Sequence, residues 1–387
     1  DTALYIYNRL VAKNEVGGHP EMPGVTPAEF HDFVLRRQHA WPRSLNASST
    51  HDTKRGEDVR ARLVVLSELA GEWEGRLDHW AALNGDKRAI VGEQPAPDGN
   101  TELLIYQTLL GAWPLEEADM PAFPRRVKEY LVKAAREAKT HTGWTAPNEA
   151  YEAALAAFVD RVLDPVLSRD FLADFRPFQE RLAFWGALTS LSQLLIKLTA
   201  PGVPDIYQGN ELWALNLVDP DNRRAVDYSR RERLLRELST SRPPDLATLL
   251  HEWRDGRIKL WLTRSLLALR AAYPALFRDG DYLPVEAEGE GARHILTYLR
   301  HQGDVWVLVV APRLVAGLTL PEEFPLGEVW SDTVLRLPNG APAAWDSPLT
   351  GERLVGGGGH AVPMARLLAR APVGLWLAGV EARMPLA

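Results

Sequence analysis

Apolar residues recur at helical spacing through most of the chain up to about residue 273, and at strand spacing beyond about residue 280. Thr26-Pro27-Ala28-Glu29 reads as a helix start: a cap hydroxyl, Pro at the first helical position and Glu at the third, followed by Phe30, Phe33 and Val34 on one apolar face. Val59, Leu63 and Leu66 mark another helix, which opens with Glu57 and Asp58, where the helix dipole favours acids. Residues 101 to about 198 read as mainly helical. There Val127, Tyr130, Leu131, Ala134, Ala135 and Ala138 form one stripe, and Asn148 caps a helix that turns Tyr151, Leu155, Phe158, Val159 and Val162 inward. Pro201 to Glu211, punctuated by Pro and Gly, allows only a short strand. Ser229 to Tyr273 returns largely to helix, with Ile258, Leu262, Leu266 and Leu269 in register. From Gly280 onward, runs such as His294 to Leu299 and Val305 to Ala311 alternate with Gly- and Pro-rich turns, the grammar of an all-β domain.

At 387 residues the chain exceeds what one core usually organises, so two or more structural units are expected. With 46% hydrophobic and 25% charged residues it has the make-up of an ordinary globular protein. The absence of cysteine excludes a disulfide scaffold, a thiolate nucleophile and a cysteine-ligated metal, and agrees with a cytoplasmic location. Apolar runs such as Val305 to Ala311 fall short of the ~20 residues that span a bilayer, so no membrane role is expected. A net charge of −7 with interspersed signs leaves no basic stripe for nucleic acid. Gly356 to Gly359 lacks the lysine and the following helix of a phosphate-binding loop and reads as a turn. Thirteen Trp is a high count; flat aromatic faces suit pyranose rings, although most large aromatics fill cores. The opening Asp1-Thr2-Ala3-Leu4-Tyr5 has no Met and reads as the interior of an element, so the chain is expected to be a fragment.

The densest chemistry lies in His51-Asp52-Thr53-Lys54-Arg55-Gly56-Glu57-Asp58-Val59-Arg60, where acids and bases crowd a loop that leads into a helix. On composition alone this is either a site or an exposed helix start laced with surface salt bridges. Ser49-Thr50-His51-Asp52 resembles the fourth short motif of the α-amylase superfamily, a His-Asp pair at the end of a late barrel strand. The continuation from Thr53 to Arg62 is similar to the form found in maltooligosyltrehalose synthases. Further segments resemble that family in the same order: Tyr7-Asn8-Arg9-Leu10 with Asn14-Glu15-Val16-Gly17-Gly18, Lys139-Thr140-His141-Thr142-Gly143-Trp144 with Pro147-Asn148-Glu149-Ala150-Tyr151, Pro201 to Glu211, and Val218 to Tyr228. The last hundred residues match less distinctively.

The resemblance implies the C-terminal portion of a (β/α)₈ barrel with a large helical insertion, followed by a C-terminal β-sandwich domain. The expected division is 1–57, a late barrel segment ending in the His-Asp motif; 58–198, the helical insertion; 199–278, the last barrel strand and its helices; and 279–387, the β-sandwich. It implies intramolecular transglycosylation, in which the reducing-end α-1,4 linkage of a maltooligosaccharide becomes α,α-1,1 without a metal or organic cofactor. Retaining chemistry of this kind needs a nucleophilic carboxylate and an acid/base carboxyl roughly 5–5.5 Å apart. By resemblance Asp52 is neither; it matches the third superfamily carboxylate, which holds the hydroxyls of the reacting ring in the transition state, with His51 donating to the same ring. Lys54 and Arg55 are candidates to bond sugar or hold Asp52 ionised, the alternative being a surface pair; Lys139, His141 and Trp144 are candidates to close over a terminal glucose, or a mere helix link. Tyr207 and Gln208 are candidates to line the cleft, or parts of a turn. The superfamily's Gly-x-Arg-x-Asp nucleophile motif is absent, Asp255-Gly256-Arg257 lying in a helical stretch without the needed acid. The nucleophile and acid/base are therefore expected upstream of Asp1, and the isolated chain is expected to be inactive without that N-terminal part. Two alternatives stand beside this reading: another hydrolase or transferase of the superfamily, and a fragment that only binds glucan.

Overall fold

The computed structural model describes residues 2–239, 245–355 and 361–379; the Gly356–Gly359 turn lies outside them. In chain order the N-terminal part carries α1 (Ala3–Ile6), α2 (Pro27–Ala40), β1 (Leu45–Asn46), α3 (Glu57–Val64), α4 (Ala70–Leu83), β2 (Ala89–Val91) and β3 (Gln94–Ala96). Next come α5 (Gly99–Ala112), α6 (Phe123–Ala138), α7 (Glu149–Leu163), α8 (Arg169–Thr199) and β4 (Val203–Pro204). Helices α9 (Tyr228–Leu238), α10 (Leu246–His251), α11 (Arg257–Ala272) and α12 (Pro274–Asp279) precede the strands β5 (Asp281–Pro284), β6 (Ala287–Glu288), β7 (Ile295–Gln302), β8 (Val305–Pro312), β9 (Val334–Arg336), β10 (Ala344–Asp346), β11 (Arg353–Val355), β12 (Ala361–Pro363) and β13 (Gly374–Ala378). The chain thus mixes helix and sheet. It folds as two compact units that interleave along the sequence: Asp1–Met22, Ser49–Ala187 and Ala214–Ala225 form the first, and Pro23–Ser48, Leu188–Trp213 and Val226–Ala387 the second.

The first unit is helical and is built around Trp80. Trp73, Tyr106, Phe171, Phe175 and Phe178 surround that indole with ring centroids 5.3–5.9 Å away. Its Nε1 donates to Asp174 at 2.7 Å, so the one polar atom of the ring is satisfied inside the core. The stripe on α6 is buried at Val127, Tyr130, Leu131 and Ala134, and Asn148 caps α7 by accepting from the Tyr151 amide at 3.1 Å. These are the helices that periodicity and caps predict, because each presents one apolar face to a shared core.

In the second unit, β1 and β4 pair in parallel, with Leu45 opposite Val203. Two antiparallel sheets follow, a six-stranded one in the order β11-β10-β13-β8-β7-β5 and a three-stranded one in the order β12-β9-β6. Their strands fill one cluster that includes Leu299, Leu308, Leu335, Trp345, Val362 and Trp376. Arg300 on β7 is buried and donates to the carbonyls of Thr199 at 2.8 Å and Gly280 at 2.9 Å. Burial pushes its guanidinium down to about 10, and the carbonyls it meets are chain-end groups of α8 and α12 that need a donor.

Three expectations change. The capping box of α2 is present, but of its apolar face only Val34 is buried, and Phe33 is exposed. Asp255-Gly256-Arg257 is a break between helices: Gly256 has φ +82°, and a Cβ there would stand 3.2 Å from Leu212. The helix α8 is, by length and apolarity, able to cross a bilayer, which the sequence reading did not anticipate; 83% of its most apolar window is buried, as in a core helix.

Candidate active site

Asp52 sits at the tip of a tight turn closed by two threonines. Thr53 Oγ1 donates to the Thr50 carbonyl at 2.9 Å, the Thr50 amide donates back to Thr53 Oγ1 at 3.2 Å, and the Asp52 amide donates to Thr50 Oγ1 at 3.2 Å. Such side-chain-to-backbone bonds are what Thr offers in turns. They leave the side chains of His51 and Asp52 exposed, the latter by 63%. The next residue but one behaves differently: Lys54 is buried, and its Nζ lies 3.8 Å from Asp52 Oδ1. A nearly buried ammonium beside an exposed carboxylate biases where that carboxylate points.

Beneath the turn, the charged run is interior. Arg55 is fully buried; Nη1 donates to the Val11 carbonyl at 3.2 Å and Nη2 to the Tyr130 hydroxyl at 2.8 Å. Without accessible surface Arg55 is a support for the loop, which replaces the expectation that it bonds sugar. Arg62 is likewise buried, with Nη1 donating to the Trp113 carbonyl at 2.7 Å, and burial pushes it down to about 9. Glu57 and Asp58 are buried too, so the surface salt-bridge alternative fails for this stretch. The α3 terminus is satisfied locally: the Glu57 amide donates to Ser49 Oγ at 2.9 Å, and Asp58 Oδ2 accepts from the Ala214 amide at 2.7 Å. Gly56 makes this approach possible. Its amide donates to the Asn216 carbonyl at 2.8 Å, and a Cβ there would fall 2.7 Å from the Ala214 oxygen.

A second clamp comes from residues 218–222. Asn222 Nδ2 donates to the His51 carbonyl at 2.9 Å, fixing the backbone of the exposed pair. Asp221 beside it is buried and takes two bonds from Arg126, at 2.8 and 2.9 Å. It also accepts from the Leu217 amide at 2.9 Å and stands 2.9 Å from Arg224 Nε.

The connector after α6 is a knit turn. Lys139 is the exposed C-cap of α6 in the left-handed conformation, φ 59°. His141 Nε2 meets the Asp98 carboxylate, and its ring stacks on Tyr151 at 4.5 Å. Burial acts to raise the Asp98 pKa, but the Thr101 amide and His141 outweigh it and the net shift is downward. Trp144 is 53% exposed, yet its indole is held: Arg136 lies 5.0 Å over the ring and Nε1 donates to Glu137 at 3.1 Å. Of the thirteen Trp, only Trp41 and Trp144 are exposed. In the second unit Tyr207 is half-buried and Gln208 exposed, in the turn after β4. Arg231 braces that turn, donating to the Gly209 carbonyl at 2.7 Å and to Glu211 at 2.9 Å. Among the described residues no cluster of His, Asp and Glu is disposed to hold a metal ion.

No family model matches the chain. A Mycobacterium tuberculosis protein that carries the name maltooligosyl trehalose synthase is 38% identical over 373 residues, which is 96% of this chain. The maltooligosyltrehalose synthase structure from Arthrobacter ramosus matches 97% of the chain at TM-score 0.79 and 32% identity. Over nearly its whole length the chain is similar to part of a maltooligosyltrehalose synthase. It spans 42% of the length of the M. tuberculosis relative and 44% of the Arthrobacter protein. A Sulfolobus tokodaii hypothetical maltooligosyl trehalose synthase matches 97% of the chain and 44% of its own at TM-score 0.73 and 29% identity.

The structure brings His51, Asp52, Lys54 and Arg55 together in one loop, while Lys139, His141 and Trp144 form a separate turn at the end of α6. Sequence reasoning missed Glu15, Asn222 and the Arg126–Asp221 pair. Glu15 and Asn222 fall within stretches that resemble the family, but no spacing rule ties them to the loop.

Proposed function

We propose that this chain supplies the transition-state carboxylate of a maltooligosyltrehalose synthase, acting in an intramolecular transfer that turns the reducing-end α-1,4 linkage of a maltooligosaccharide into α,α-1,1. The observation that carries this is the contrast in the His51–Asp52 loop: the pair alone is exposed, while Lys54, Arg55, Glu57 and Asp58 behind it are buried and bonded. A loop that fixes its backbone so fully and leaves one carboxylate outward is suited to meet sugar hydroxyls in a set geometry. Bonds from Asp52 and His51 to the ring strengthen as the ring flattens towards an oxocarbenium ion, so they act on the rate more than on binding. Lys54 holds Asp52; Lys139, Trp144, Tyr207 and Gln208 are proposed glucan contacts, and His141 and Arg55 supports. The nucleophile and acid/base come from a segment outside this chain, which is needed for turnover. Released glucose must then be retained and water kept out, since water in its place gives hydrolysis.

In this reading β1 and β4 are late strands of a (β/α)₈ barrel, supported by their parallel pairing across an intervening helical stretch. Residues 1–57 end in the His-Asp motif, 58–198 are the insertion, 199–278 carry the last barrel strand, and 279–387 form a β-sandwich, supported by two sheets filling one cluster. The protein is proposed to be cytoplasmic.

The test uses the full-length enzyme and its Asp52→Asn variant with maltopentaose, following reducing ends and free glucose. Loss of reducing ends with little glucose, dependent on Asp52, is expected. Rising reducing ends would make the enzyme a hydrolase, and turnover indifferent to Asp52→Asn would remove the carboxylate from the mechanism.

A further inference from the structure

Glu15 lies 39 positions before Lys54, yet its carboxylate is built into the underside of the His51–Asp52 loop. Oε1 accepts from the Lys54 amide at 2.7 Å and from the Val16 amide at 2.9 Å. Oε2 accepts from the Arg55 amide at 3.4 Å and stands 3.6 Å from Arg60 Nε. Arg60 Nε in turn donates to the Arg55 carbonyl at 3.2 Å, so the same cation touches both the carboxylate and the backbone it holds. The Glu15 side chain is only 13% exposed, which keeps water from competing for these bonds. Bonds from backbone amides to a carboxylate are roughly twice as strong as neutral ones.

The consequence runs through one side chain. The threonine bonds close the turn at Thr50 and Thr53, but they leave the direction of the chain at Lys54 undetermined. Glu15 sets that direction by taking the Lys54 and Arg55 amides together. From there the buried Lys54 reaches Asp52 at 3.8 Å. We propose that Glu15 is a positioning residue for Asp52, acting through the Lys54 backbone to hold the exposed carboxylate in the orientation that the reacting sugar requires. The inference rests on reading Asp52 as the transition-state carboxylate, and it adds a residue that never touches substrate.

Glu15→Gln keeps the size of the side chain but removes the charge and turns an N–H₂ group towards amides and Arg60 that also donate. In the full-length enzyme acting on maltopentaose, kcat is expected to fall about ten-fold while KM stays within about two-fold, because one 1.4 kcal/mol loss in the transition state alone has that size. A residue that only supports the fold would not act through Asp52, so the deciding measurement is a cycle with Asp52→Asn. With Asp52 already replaced, adding Glu15→Gln is expected to leave the residual kcat unchanged within about two-fold. Should Glu15→Gln not fold, Glu15→Asp, which keeps the charge and withdraws it by one methylene, takes its place in the same cycle with the same expectation. A ten-fold loss that persists in the Asp52→Asn background overturns the proposal, as does a kcat within two-fold of the parent. Failure of Asp52→Asn alone to lower kcat would instead overturn the underlying reading of Asp52, so the two failures are distinct.

Discussion

Replacing Arg126 with Met tests whether the clamp under His51 is held by a buried ion pair. Arg126 and Asp221 are both buried, joined by bonds of 2.8 and 2.9 Å, and Arg126 Nη2 also donates to the Leu215 carbonyl at 2.7 Å. Met preserves most of the packing against Phe123, whose ring lies 5.9 Å from the guanidinium carbon, so the loss is chiefly electrostatic. Removing one member of a buried pair typically costs about 3–5 kcal/mol, because the other charge is left without its partner. Arg224 remains 2.9 Å from Asp221 and the Leu217 amide still donates to it, which places the expected cost at the lower end, about 3 kcal/mol. For a unit of about 150–250 residues that corresponds to a fall in Tm of roughly 6–12 °C. Circular dichroism melts measure the shift, and amide hydrogen exchange locates it: faster exchange is expected around Leu217 to Asn222 and His51. A shift below about 2 °C, or unchanged exchange in those segments, would refute the reasoning and show that the pair is dispensable to the clamp.

Two further outcomes follow from the same geometry. Gly56→Ala is expected to destabilise by about 1–3 kcal/mol, the usual range for forcing an atom into packed surroundings, since the new Cβ would meet the Ala214 oxygen at 2.7 Å; a denaturation midpoint equal to that of the parent would count against the close approach. In acid, Glu72 and Asp174 should contribute to the loss of the first unit: burial works to raise both, but Arg181 and Arg76 on Glu72, and Trp80 and Arg76 on Asp174, outweigh it and leave both pKa values lowered. Their folded pKa values lie below the unfolded ones, so the stability they give is present above the ordinary values of 4.5 and 3.8 and is lost as pH falls through the lowered values. Tm is therefore expected to hold from pH 7 to about 5 and drop below about 4, with a shallower drop in Glu72→Gln; an identical acid limb in that variant would show that the pair is not responsible.

Much of the helical framework was legible because its signals are local. The Thr26–Glu29 box and the Asn148 cap are written in four-residue windows, and the stripe on α6 repeats over several turns. What a helix face meets is not local, and so Phe33 and Val34, adjacent and equally apolar, end up on opposite sides of the exposure boundary. The charged run from Lys54 to Arg62 misleads for the same reason. Read by composition it belongs on a surface, yet Arg55 and Arg62 are interior because carbonyls and a tyrosine hydroxyl from distant segments receive their donors. Arg126 and Asp221 are 95 positions apart, and no periodicity links them. The His51–Asp52 motif itself was visible by resemblance, whereas the residues that hold it were not.

That difference bears on how the site works. The turn around Asp52 is fixed from below by Asn222, Glu15, Ser49 and Ala214, so its ordering entropy is met during folding and does not have to be met when substrate arrives. The carboxylate that results is still 63% exposed. In water a charge separated from an oxocarbenium centre by about 4 Å is worth only about 1 kcal/mol, against about 4 kcal/mol at the effective dielectric near a protein surface. On the proposed reading of Asp52, rigidity gives the carboxylate its aim but little of its force, which a bound sugar would supply by displacing water around it. The Asp52 and Glu15 variants accordingly have their meaning in the full-length enzyme with glucan bound, where the same small change of orientation acts at the lower dielectric.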